Sequence, residues 1–268
     1  MSKKITLIAE IGENHIGKIS FAKKMILQAK KAGADYVKFQ SYNEQCLKGS
    51  DPEYAWFKKV SLRDDDHFRL KNFSKKNKIK FTSSPFSVER AKFLCEKLKL
   101  KTIKIASCKM TNIPLLKYLN KRCDTIFLST GASNINEIKN SLKKLSNVDV
   151  KILHCVSEYP LKYKNANLRA IELLKDQFPN NEIGYSDHVI GNLASLTAIS
   201  MGATIIEKHF TLNKLHEGTD HILSATQEEL KELRTIGNNI CLLRGNRQKT
   251  VTKEEKKIKY FIRNRFKD

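Results

Sequence analysis

The chain has 268 residues, 40% of them hydrophobic, with 50 lysines and arginines against 28 acids and a net charge of +22. That apolar share excludes a disordered chain, and no apolar run approaches the roughly 18 residues of a membrane span. The lysines run along the whole chain with no interleaved aromatic pattern, which argues against a nucleic-acid reader and leaves a field suited to a small anionic substrate. The opening MSKKITLIAEIG lacks a signal-peptide h-region and cleavage site. Cysteines 46, 95, 108, 123, 155 and 241 are scattered, without a CxxC pair. Reduced thiols in a cytoplasmic protein are therefore expected.

In chain order, short β-branched runs fall at 5–10, 36–40, 80–84, 102–106, 125–129, 150–155, 182–186 and 204–207. Amphipathic helical patterns follow them at 20–32, 62–77, 88–99, 113–121, 135–145, 168–178, 193–201 and 227–243. Gly33 and Gly202 stand where helices end, Pro114 suits a first helical turn, and Ser20 and Asn134 suit N-caps. Strands alternating with helices of this length predict a parallel sheet. Eight repeats predict a closed (β/α)8 TIM barrel over an open doubly wound sheet. The barrel is expected to occupy 1–243 as a single domain, with 244–268 a basic tail or solvated terminal helix.

Such barrels build their sites at the carboxyl ends of the strands. The ends here present Glu10, then Asn14 and His15; Lys38 and Gln40; Ser83 and Ser84; Lys104, Ser107 and Lys109; Ser129 and Thr130; His154, Ser157 and Tyr159; Ser186, Asp187 and His188; Glu207, Lys208 and His209. Lys38 and Lys104 sit inside apolar strand sequence. Either they snorkel, or they face a polar interior and converge on a carboxylate or phosphate. The hydroxyls of Ser84, Ser107, Ser129 and Thr130 would add donors to the same anion. His188 and His209 end adjacent strands, close enough to share a divalent ion, although two histidines alone do not demand one. Asp187 and Glu207 would orient ligands or accept from substrate, and Asp220 reaches the mouth from a loop. His154 is expected to pack within its strand, and His67, His216 and His221 to be loop or surface residues.

The segments AEIGENHIG (9–17), AGADYVKFQ (32–40), FTSSPF (81–86), KIAS (104–107), LSTG (128–131), HCVSEYP (154–160), GYSDH (184–188), IIEKHFTL (205–212) and GTDHILS (218–224) occur in order at the strand ends. Together they resemble the sialic acid synthase family, whose members use phosphoenolpyruvate to make nonulosonic acids. The resemblance implies condensation of phosphoenolpyruvate with an N-acetylated hexosamine, N-acetylmannosamine or a 6-deoxy diacetamido relative, with loss of phosphate by C–O cleavage. It implies Mn²⁺ or Mg²⁺ on His188 and His209, and a phosphoenolpyruvate cradle of Lys38, Ser84, Lys104, Ser107 and Ser129. Gln40, Tyr159 and Asp220 would contact the amino sugar, Ser157 would occupy a position that is polar in the family, Ser186 and Asp187 would border the substrate, and Glu10 would handle a proton.

The chain departs from the family pattern at Lys109, where relatives carry a glutamate; this substitution raises the alternative of a barrel that binds substrate without turnover. Ser84 and Thr219 replace a more common threonine and proline. Relatives continue into a small antifreeze-like domain that supplies an arginine in a swapped dimer. The resemblance thus implies a homodimer, with that domain encoded separately, or with Arg63 or the tail arginines at 244–247 completing the sugar site. A related synthase acting on a phosphorylated sugar would need an arginine-rich second site, and the strand ends offer almost none.

Overall fold

The β-branched runs form strands because their alternate residues have two apolar environments to enter, the barrel lumen and the helix layer. The computed structural model describes residues 4–246 and 248–266. Its first half comprises β1 (Thr6–Gly12), α1 (Ile19–Lys31), β2 (Tyr36–Ser41), α2 (Tyr54–Val60), α3 (Asp64–Lys76), β3 (Lys80–Pro85), α4 (Val88–Lys92), β4 (Thr102–Ile105) and α5 (Ile113–Leu119). The second comprises β5 (Thr125–Ser129), α6 (Ile135–Lys144), β6 (Asp149–Cys155), α7 (Ala170–Gln177), β7 (Ile183–Asp187), α8 (Leu193–Ser200), β8 (Ile205–His209), α9 (Gln227–Arg244) and α10 (Lys253–Arg263).

The eight strands run in the order β3-β2-β1-β8-β7-β6-β5-β4, with parallel ladders throughout. β3 and β4 meet at the seam of this nearly closed ring without a ladder among the described residues, and there the Thr82 hydroxyl donates to the Thr102 carbonyl at 3.0 Å. This is the expected (β/α)8 barrel. The strand period of two sorts its side chains. Leu7, Ala9, Val37, Phe39, Ile103 and Ile206 join Met25, Ile26 and Ala29 of α1 in the core between sheet and helices. Ile8, Phe127, Leu153 and Ile205, with Tyr36 against them, form a separate plug inside the barrel. The next inward layer toward the carboxyl ends is polar, and it includes Glu10, Lys38, Ser129, Ser186 and Glu207.

Local signals hold with small shifts. Asn134 and Glu137 form a reciprocal capping box on α6, and Pro114 lies in the first turn of α5. Ser20 lies inside α1, whose N-cap is Lys18. The helix expected at 88–99 is α4 continued by a π turn over Phe93–Lys97. One helix was not expected, α2 in the β2–α3 connection; of the two readings of the basic tail, the solvated terminal helix is found, as the exposed α10 with a Thr252–Glu255 capping box. Arg247, Lys267 and Asp268 of that tail, like Met1–Lys3, fall outside the described residues.

One residue after the helix C-cap, the backbone turns left-handed before four strands. Gly33 (φ +88°) and Gly202 (φ +107°) do so before β2 and β8. Lys78 (φ +54°) and Lys99 (φ +56°) do so before β3 and β4, where a lysine costs about 1 kcal/mol more than a glycine.

Candidate active site

At the carboxyl ends of the strands lies a cup of about 490 Å³. Its floor follows from strand register. Glu10 pairs with Lys38 on one side and His209 on the other, and Ser186 pairs with Glu207, so these side chains all face inward, on successive levels of the lumen. Lys38 Nζ lies 2.8 Å from Glu10 Oε2 and 3.6 Å from Glu207 Oε2, and Lys104 Nζ lies 3.2 Å from Glu207 Oε1. Neither lysine snorkels: their side chains are 6% and 3% exposed. Lys38 also donates to Ser84 Oγ at 3.3 Å, and the Ser186 hydroxyl donates to Glu207 Oε1 at 2.8 Å.

Four buried charges in one cluster must settle their protonation jointly. Burial would raise Glu207, but Lys104, Lys38 and the Ser186 hydroxyl outweigh it and hold the carboxyl down at about 2. Glu10 moves the other way: burial, helped by the Glu207 charge, exceeds the pull of Lys38 and pushes it up to about 7. Burial lowers Lys104, whereas for Lys38 the charges of Glu10 and Glu207 overcome burial and raise it.

A stability consequence follows for Glu10. Between the ordinary carboxylate value near 4.5 and about 7, the folded chain keeps a proton that the unfolded chain releases. Its contribution is therefore full at low pH and is lost as pH rises through about 7. Glu10→Gln has nothing to titrate there. Its urea midpoint should gain on that of the wild type from pH 5 to pH 8; parallel profiles would contradict the shift.

The hydroxyls gather beside the lysines. Ser107 Oγ accepts from the Gly131 N–H at 3.0 Å and lies 3.6 Å from Cys155 Sγ. A β-carbon on Gly131 would stand 2.5 Å from Ser157 Oγ and 2.8 Å from Ser107 Oγ, so only glycine leaves this cradle open. Ser129 Oγ is buried with no hydrogen-bond partner among the described residues, the mark of a donor awaiting a ligand.

The histidines face each other with ring centroids 5.5 Å apart, and Tyr159 lies 4.0 Å from His188. His188 Nδ1 donates to the Val156 carbonyl at 2.7 Å, which leaves the Nε2 lone pair free. Burial lowers His188 to about 4 and, together with His188 and Lys38, holds His209 well below the usual value, so both rings are neutral. His209 Nδ1 lies 3.3 Å from Asp220 Oδ2 without making a hydrogen bond. Among the described residues no group of three or more His, Cys, Asp or Glu is placed to hold a metal. Two neutral imidazoles nevertheless fit a divalent ion whose other positions are filled by water and substrate oxygens.

The far wall is acidic. Glu13, Glu53 and Asp220 line it beside Gln40, Tyr159 and Thr219. The Thr219 hydroxyl donates to Glu13 Oε1 at 3.1 Å. Burial, then the charges of Glu13 and Glu10, push Asp220 up to about 8. The cup is thus polarised, with two ammonium groups, held on Glu10 and Glu207, and hydroxyls at its floor, and the further carboxyl groups of Glu13, Glu53 and Asp220 on its wall.

Of the sequence candidates, Glu10, Lys38, Gln40, Ser84, Lys104, Ser107, Ser129, Ser157, Tyr159, Ser186, His188, His209 and Asp220 line this cup. Two do not. Asp187 is one residue past Ser186 and faces the helix layer, where Lys208 at 3.0 Å, the Ser195 hydroxyl and the Val189 N–H occupy its oxygens. Lys109 ends a 3-10 turn over Ser107–Lys109 that presents Ser107 and Cys108 to the cup instead. Thr130 is likewise engaged elsewhere, donating to the Leu153 carbonyl. His154 packs on Tyr185 as expected; His67 is not a loop residue but is buried on α3, and His221 lies in a loop as expected, although it is buried there. Arg63 pairs with Asp66 and does not reach the cup, and Arg247 lies outside the described residues. Sequence reasoning missed Glu13, one residue beyond the strand-one motif glycine, and Glu53 and Phe57, which the unexpected α2 region brings in.

Comparisons with known proteins point to one family. The NeuB family model matches residues 25–249. The N,N'-diacetyllegionaminic acid synthase of Campylobacter jejuni is 38% identical over 95% of this chain and 82% of that protein. The N-acetylneuraminate-9-phosphate synthase of Drosophila melanogaster is 36% identical over 89% of this chain and 68% of that protein. The structure of the N-acetylneuraminic acid synthetase of Leptospira borgpetersenii superposes with a TM-score of 0.91 at 33% identity, covering 99% of this chain and 94% of that one.

Proposed function

The chain belongs to the NeuB family, and from that membership we propose that it condenses phosphoenolpyruvate with the open-chain form of an N-acetylated hexosamine. The acceptor is N-acetylmannosamine or a 6-deoxy diacetamido relative, and the product is a nine-carbon 2-keto acid. C3 of the enol substrate bonds to the aldehyde carbon, water adds at C2, and phosphate leaves with C–O cleavage. The observation that carries this reading is the polarised cup.

Lys38 and Lys104, with Ser84, Ser107 and Ser129, bind the phosphate and carboxylate of phosphoenolpyruvate and hold its C3 toward the acidic wall. Their charges are fixed in a buried floor, where they stabilise the phosphate-bearing tetrahedral centre. Glu10, poised near neutrality, gives or takes the proton at the reacting carbons. Gln40, Tyr159, Glu13 and Asp220 hold the hydroxyl and amide groups of the sugar. His188 and His209 would hold Mn²⁺ or Mg²⁺, which when bound polarises the aldehyde oxygen as a Lewis acid. The acidic wall selects an unphosphorylated sugar, because Glu13 and Glu53 repel a sugar phosphate and no arginine among the described residues lines the cup.

We also infer a cytoplasmic homodimer. All six cysteines are free, and no helix among the described residues is long and apolar enough to cross a membrane. Leu242, Leu243, Phe261 and Phe266 are exposed on the end of α9 and on the tail, a surface that a second subunit would cover.

Phosphate release with phosphoenolpyruvate, N-acetylmannosamine and Mn²⁺ tests the function. Chelation should abolish the release and Mn²⁺ restore it, and His209→Ala should not respond to added metal. Tight binding of both substrates with no phosphate release would favour the non-catalytic barrel.

A further inference from the structure

At the opposite end of the barrel lies a second cavity, of about 660 Å³, between the starts of β2, β3 and β4. Its wall is built of cations: Lys71 and Lys75 from α3, Lys78 and Lys80 around the start of β3, and Lys99 and Lys101 before β4. Lys30, from the last turn of α1, adds a seventh. The one carboxylate in the lining is Asp35, and its Oδ2 is taken up by Arg234 and by the Leu7 N–H. Lysines at helix C-termini complement the helix dipole, which accounts for Lys30 and Lys75. It does not account for Lys78, Lys80, Lys99 and Lys101, which lie in the connections and strand starts.

Some of these ammonium groups are already engaged. Lys30 donates to the Lys78 carbonyl at 2.7 Å, Lys71 to the Leu98 carbonyl, and Lys101 to the Arg122 carbonyl at 3.3 Å. Lys80 lies over the Tyr36 ring. Lys75, Lys78 and Lys99 have no acceptor among the described residues. Two of these three, Lys78 and Lys99, occupy left-handed positions at which the same chain uses Gly33 and Gly202 before other strands. A residue kept where glycine is easier points to a use for its side chain.

We propose that this lysine-lined cavity is a binding site for a small anion carrying a chain of two or more phosphoryl groups, either inorganic polyphosphate or the phosphate chain of a nucleotide. A phosphoryl chain presents oxygens to several of these lysines at once, more than a single phosphate does. The cavity volume accommodates a chain of this size. The site is separate from the cup, which opens at the other end of the strands, and does not depend on the reaction assigned there.

The test is calorimetric titration of the full chain, in about 0.15 M salt, with tripolyphosphate, ATP and orthophosphate in turn. Saturable one-to-one binding of tripolyphosphate is expected, with orthophosphate at least about tenfold weaker. ATP binding tighter than tripolyphosphate assigns the nucleotide as the source; equal binding assigns the phosphoryl chain alone. Lys78→Gly/Lys99→Gly removes two ammonium groups while relieving the left-handed backbone. It should melt no lower than the wild type, retain phosphate-release activity, and bind tripolyphosphate roughly a hundredfold more weakly. The control Lys256→Gln/Lys257→Gln on α10 should bind as the wild type does. The proposal is overturned by absence of saturable binding, by equal losses in both double variants, by no loss in Lys78→Gly/Lys99→Gly, or by binding of a long single-stranded RNA without binding of tripolyphosphate.

Discussion

Exchanging Lys104 for methionine is expected to lower kcat/KM for phosphoenolpyruvate by about 10³-fold or more. One fixed donor to a developing oxyanion is worth about 10²–10³ in rate, and a charge-assisted contact in the ground state adds roughly tenfold. Methionine preserves length and apolar packing, so the fold should survive. The charge left on Glu207 still has Lys38 at 3.6 Å, and Glu10 can take the spare proton because it already sits near 7. Phosphate release at saturating sugar is the measurement, with thermal melting as the control for folding. Activity within tenfold of the wild type in a folded variant would remove Lys104 from the cradle.

Glu207→Ala should be the most damaging single change to stability in the cup. The carboxylate anchors Lys104 at 3.2 Å, contacts Lys38 at 3.6 Å and accepts from Ser186 at 2.8 Å, all out of water. Lys38 keeps Glu10 at 2.8 Å, whereas Lys104 has no other ion-pair partner among the described residues. Removing one member of a buried pair typically costs about 3–5 kcal/mol, which for a chain of this length lowers the melting temperature by roughly 10 °C. Lys104→Met/Glu207→Ala should be more stable than Glu207→Ala alone, because no ammonium is left stranded. Additive losses in the double variant would show that Glu207 supports the barrel by packing alone.

These two predictions concern inward-facing residues, and inward facing is where sequence and structure divide. Alternation around Lys38 and Lys104 already offered the lumen as one of two destinations, because an ammonium among apolar neighbours in a strand must point away from them. The eight strands, the barrel and the Asn134–Glu137 cap were legible for a similar reason: period, cap and turn chemistry are local properties of the chain. The strand-end motifs located the cup to within a residue or two.

Choosing within those motifs required three-dimensional information. Ser186 and Asp187 are adjacent and both polar, yet one enters the lumen and the other pairs with Lys208 under α8; only the register of β7 against β8 decides between them. Lys109 stands two residues past Ser107, which alternation would turn to the same side, but the 3-10 turn after β4 ends the period-two rule at the last strand residue. Glu53 and Phe57 come from a connection with no strand signal, and α2 brings them over the mouth. Long-range proximity is equally invisible in one dimension. Lys71, Lys78 and Lys99 are separate solvated charges in the sequence and become one wall only when the starts of β2, β3 and β4 are brought side by side. The sequence by itself determined the repeating unit and the chemistry available at each strand end, since both depend on neighbours along the chain. Ring closure alone decided which groups share a buried cluster, and with it the protonation of Glu10 and Glu207, since charge coupling depends on distance through space.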